Sequence, residues 1–161
     1  PEAQVDRFML KLKVDYPSDE EEMQILKRMG TSNGDIFMKS IVNPKTILNA
    51  RAIVNEIYTD EKIEKYIVDL VLATRSPERF GLGEISELIS YGASPRATIY
   101  LAQASRARAF LQKRGYVIPE DVRYIAEDIL RHRLILTYEA EAEEVTTEDL
   151  IQRLFDTIPV P

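Results

Sequence analysis

The 161-residue sequence has no cysteine, no tryptophan and a single histidine, His132. The missing cysteines remove disulfides and thiol chemistry, and one histidine argues against a histidine-built metal site, so no metal site is expected. No apolar run approaches the ~18 residues of a membrane span and the first residues do not resemble a signal peptide, which makes the cytoplasm the expected location. The six glycines do not build a phosphate loop, since none precedes a lysine. Gly81-Leu82-Gly83 lacks both the preceding strand and the further glycine of a dinucleotide fingerprint. HExxH and GxSxG are absent too. Read by itself, the chain is not an enzyme. A net charge of −6 argues against generic binding to nucleic acid or anionic membranes.

What is present is a 45% apolar composition, enough for a packed core, and an uneven spread of charge. Ser94 to Tyr116 holds five basic residues (Arg96, Arg106, Arg108, Lys113, Arg114) and no acidic one, while Thr137 to Leu150 holds six acidic residues and no basic one. Four of the five cations fall in the later part of a predicted helix, where its dipole welcomes them. Arg96 does not. In "YGASPRATIYL" (91–101) Ser94 reads as the N-cap and Pro95 as the first helical residue. Arg96 then lies in the first turn, where a cation is disfavoured by roughly 0.3–1 kcal/mol.

Along the chain, "PEAQVDR" predicts a short helical turn, and "FMLKLKV" (8–14) alternates as a half-buried strand with no partner of equal quality within reach. That lone strand and the initial proline point to the C-terminal piece of a larger protein. Helices follow. A capping box of Ser18 and Glu21 precedes Met23, Leu26 and Met29; Asn43-Pro44 opens a helix with Ile47, Ala50, Val54 and Ile57 at helical spacing; Thr59-Asp60 opens one with Ile63, Tyr66, Ile67, Leu70 and Val71 inward. Residues 76–93 read mostly as loop, with one helical turn around Ile85, Leu88 and Ile89. Ser94 starts a long Ala-rich helix to Leu111, Pro119 starts the next, "RLILTY" offers a further short strand, and Thr146 with Asp149 caps a last helix ended by Pro159. "EAEAEE" (139–144) reads as a solvated acidic patch. The expected fold is mainly α, five or six antiparallel helices in a bundle with one or two short strands.

"PEAQVDRF", the alternating segment after it, "GASPRA", "VIPEDVR" and "ILRHRLILT", in this order and spacing, resemble the C-terminal part of MoxR-type AAA+ ATPases over essentially the whole chain. The resemblance implies that residues 1–17 are the end of an α/β core and 18–161 a helical lid domain, with the Walker A loop, Walker B acids and sensor 1 residue lying upstream. It implies ATP with Mg²⁺ in the intact protein, a homo-oligomeric ring with neighbouring subunits as partners, and chaperone-like remodelling of client complexes, some metal-dependent. Arg96 matches the sensor 2 arginine, which with Ser94 and Pro95 would meet the nucleotide's terminal phosphates. Arg7 matches the arginine finger that reaches a neighbour's ATP. An ion pair with Asp6 is the alternative for Arg7, and a solvated surface side chain the alternative for Arg96. Ile118 departs from the family, which usually has threonine or serine before Pro-Glu-Asp. A magnesium-chelatase-like subunit and a stand-alone helical interaction module are the other readings.

Overall fold

The structure, a computed structural model, describes residues 2–30 and 38–161. Pro1 of the opening helical turn lies outside them. The described chain is helical: α1 (Glu2–Val5), α2 (Asp19–Met29), α3 (Pro44–Glu56), α4 (Glu61–Ala73), α5 (Pro95–Leu111), α6 (Pro119–Leu130), α7 (Tyr138–Ala142) and α8 (Thr147–Thr157). Strands β1 (Ile89–Tyr91) and β2 (Ile135–Leu136) pair antiparallel, with Ile89 opposite Leu136.

Local chemistry sets most helix starts. Ser18 with Glu21 and Thr146 with Asp149 form complete capping boxes, Asn43 Oδ1 accepts from Thr46 N at 2.9 Å, and Asp60 accepts from Lys62 N. The acidic patch is solvated as expected, its glutamates exposed, and most of it lies in α7, which Thr137 caps and whose Ala140 is buried.

The core lies between α4, α5, α6 and α8. Leu70, Val71, Leu101, Val122, Ile129, Leu150 and Leu154 are fully buried, each stabilising the bundle by about 1.5–3 kcal/mol. Ala97, Ala104 and Ala109 on α5 are small enough to let α4 and α6 approach closely. The Tyr58–Tyr116 bridge ties the α3–α4 turn to the α5–α6 turn.

Three expectations are corrected. Residues 8–14 form no strand: Lys11 N donates to Asp128 O of α6 at 2.8 Å, no strand among the described residues lies beside them, and Phe8, Leu12 and Val14 are 68%, 65% and 88% exposed. The apolar faces of α2 and α3 have the predicted spacing yet contain no buried residue, and only Ile57 just beyond α3 enters the core. In residues 76–93, expected to be mostly loop, the expected turn around Ile85 and Leu88 is a 3-10 turn (Gly83–Leu88), and a second (Pro77–Phe80) and β1 are added.

Candidate functional site

The start of α5 is set by a close approach of two backbones. A Cβ on Gly92 would lie 2.2 Å from the Thr74 carbonyl oxygen, so only glycine lets this loop pass the end of α4. Buried Thr74 then accepts from Ala93 N at 2.9 Å while donating to Val71 O at 2.7 Å. Ser94 follows as N-cap in extended conformation, its Oγ accepting from Arg96 N at 3.2 Å, and Pro95 fills the first helical position. Arg96 is thereby placed in the first turn with its side chain 50% exposed.

The anion beside Arg96 comes from the other end of the chain. Ser94 Oγ donates to the Asp6 carboxylate, 2.9 Å from Oδ2, and Arg96 Nε faces the same Oδ2 at 3.5 Å. Asp6 Oδ1 in turn receives Arg133 Nε at 3.0 Å. Arg133 is the buried member of the cluster, its side chain 1% exposed. All five of its N–H directions are used: Nε on Asp6, Nη2 on the Asp6 and Phe8 carbonyls at 2.8 and 2.6 Å, and Nη1 on the carbonyls of Met9 and Ile129. Burial pulls its guanidinium below the ordinary value, and Asp6 opposes that pull.

Neighbouring side chains complete the clamp. His132 Nε2 meets the Phe8 carbonyl at 3.0 Å, Arg131 donates to the Lys11 carbonyl at 2.7 Å, and Tyr100 Oη donates to the Arg7 carbonyl at 3.1 Å. Because side chains take the carbonyls of residues 6–9 and 11, this segment is held on the bundle without a ladder. Burial lowers the His132 pKa, which keeps the ring neutral with Nε2 as donor.

Arg96, Ser94 and Pro95 thus stand together at one helix end, and Arg7 lies beside them. The Asp6 carboxylate does not pair with Arg7; it is shared by Arg96, Ser94 and Arg133. The Arg7 side chain is exposed and has no ion pair among the described residues. Asp6 and Arg133 were not legible as site residues. They are 127 positions apart; Asp6 entered only as the alternative partner of Arg7, and Arg133 only as part of "ILRHRLILT".

This arrangement is chemically suited to an oxyanion. It already holds one, the Asp6 carboxylate, on a serine hydroxyl and two guanidiniums at a helix N-terminus. Arg96 uses only Nε for this, so among the described residues its Nη atoms are unengaged. No group of three or more His, Cys, Asp or Glu that could hold a metal ion occurs among the described residues. No helix among them is long and apolar enough to cross a membrane.

Residues 84–154 match the family described as AAA lid domain. Over all 161 residues the chain is 40% identical to Chaperone MoxR1 of Mycobacterium tuberculosis, covering 42% of that protein. It is 30% identical to Protein MoxR of Methylorubrum extorquens, covering 50% of it. A crystal structure from Cytophaga hutchinsonii, described in its own words as a "putative ATPase", superposes with a TM-score of 0.94 at 42% identity, over 100% of this chain and 49% of that one. The chain spans about half the length of the curated relatives it matches.

Proposed function

We propose, from the match of residues 84–154 to the AAA lid domain family and the likeness to MoxR proteins, that the chain closes over ATP in a ring-forming AAA+ ATPase and stabilises the transferring phosphate. Residues 1–17 would be the end of the α/β core and 18–161 the lid. Subunits of the ring would be its first partners, and the hydrolysis cycle would drive remodelling or maturation of client protein complexes.

One observation carries the reading. A half-exposed arginine stands at a helix N-terminus, where a cation is disfavoured, with its Nη atoms unengaged among the described residues. A phosphate at that point would gather the guanidinium and the free N–H groups of the first turn on one anion. Arg7 would act as the finger: always charged, planar, and able to meet charge that develops on the phosphoryl oxygens. Bound ATP with Mg²⁺ would supply the phosphoryl chemistry itself. This chain's own residues orient the phosphates and compensate their charge.

The geometry favours one further point about placement. Arg96 and Tyr100 are one turn apart on α5, and they hold Asp6 and the Arg7 carbonyl respectively. Arg96 and Arg7 would therefore address the same nucleotide, that of the neighbouring subunit. In the intact protein Arg96→Ala and Arg7→Ala should each lower kcat strongly, since a finger of this kind is worth ~10³–10⁵ in rate. Steady-state turnover checks this, and wild-type kcat in both variants contradicts it.

A further inference from the structure

Asp6 serves two arginines with different tasks. Arg133 is 1% exposed in its side chain and meets Oδ1 at 3.0 Å, whereas Arg96 is 50% exposed and meets Oδ2 at 3.5 Å. The first contact is an anchor and the second is adjustable. The residue after Asp6 is Arg7, so a single peptide unit separates the carboxylate that meets Arg96 from the residue read as the finger. An ordinary local ion pair would steady Arg96 and reach nothing else.

We infer that Asp6 is a positioning residue that couples Arg96 to Arg7. It holds Arg96 by Nε so that the Nη atoms face an incoming polyphosphate, and it conveys binding there to the backbone of residues 7–9. The inference rests on the phosphate reading of Arg96. The physical cause is competition: a polyanion drawn to Arg96 weakens that arginine's contact with Asp6, while Ser94 and Arg133 retain the carboxylate. The Asp6 carbonyl stays on Arg133 Nη2 and the Arg7 carbonyl on Tyr100 Oη, so the change at the carboxylate is felt at the amides of residues 7–9 held by these anchors. Asp6 itself touches no phosphate.

The test is a nitrogen-15 NMR titration of the 161-residue chain with tripolyphosphate against chloride of equal ionic strength, following arginine Nε–Hε and backbone amide signals. In the wild type the Arg96 Nε–Hε signal and the amides of Arg7, Phe8 and Met9 should shift together along one binding curve. In Asp6→Asn, which keeps the side chain's size and removes its charge, Arg96 should still shift and the amide response at 7–9 should be lost. A wild-type titration in which Arg96 shifts and residues 7–9 stay silent overturns the coupling alone, as does a response at 7–9 that survives Asp6→Asn. Silence at Arg96 in the wild type overturns the phosphate reading and the coupling with it. Should Asp6→Asn fail to fold, the wild-type titration decides by itself.

Discussion

Single residues carry most of the chemical content, and His132 and Asp121 show how burial decides their roles. His132 gives its Nε2 to the Phe8 carbonyl, and burial lowers its pKa from the ordinary 6.5, with Arg133 and Lys11 adding to the shift and the Phe8 carbonyl and Asp6 opposing it. A depressed histidine pKa means that the unfolded chain binds the proton first. The stability it contributes is therefore complete above 6.5 and falls as pH drops through the lowered folded value. Thermal melts between about pH 7.5 and 5.5 should show a larger loss in wild type than in His132→Gln, whose amide can still donate to Phe8 but does not titrate. Equal losses would contradict the assignment. Asp121 is 1% exposed and holds Arg114 through two contacts of 2.8 and 2.6 Å, with Arg108 nearby at 3.8 Å. Asp121→Ala leaves those guanidiniums without their anion and should cost about 3–5 kcal/mol in denaturant unfolding.

At the scale of elements, what was readable in the sequence was what local chemistry determines. The caps at Ser18, Asn43, Ser94 and Thr146 and the buried stripe of α4 are written within a few residues, and the structure has them. β1 was not readable because its identity depends on Ile135 and Leu136 across the fold, and the Asp6–Arg133 clamp was not because its two halves come from opposite ends of the chain. The α6 cap is intermediate: Ile118 cannot accept, but Asp121 Oδ2 still takes Ile118 N at 3.0 Å, so half of a capping box survives. Ile118→Thr should complete it, adding about 1 kcal/mol and raising Tm by roughly 2–4 °C. Gly92→Ala should do the opposite. Its Cβ would meet the Thr74 backbone, costing about 1–3 kcal/mol in chemical denaturation and shifting the Ser94 cap.

For the whole molecule, the uncovered apolar residues are the informative feature. Phe8, Leu12 and Val14, with Met23, Leu26, Ile47 and Ile53 on α2 and α3, are all at least half exposed. The alternating pattern at 8–14 forms no strand among the described residues and leaves these side chains uncovered. The bundle closes its own core, so the 161-residue chain should fold alone; on the proposed reading, in which lid and finger would supply only charge, it should have no ATPase turnover above background. Light scattering should find it largely monomeric or weakly dimeric.

The claim that binds these scales together is that Arg96 and Arg7 serve one phosphate group, that of the neighbouring subunit. Subunit mixing in the intact ring tests it most directly. Arg96→Ala subunits and Arg7→Ala subunits are each combined with subunits that have both arginines but a dead Walker A lysine, and ATP turnover is measured. Both mixtures should regain activity, because each arginine mutant still offers a working nucleotide site to a neighbour with intact arginines. Recovery for Arg7→Ala alone would place Arg96 on its own subunit's nucleotide and contradict the claim.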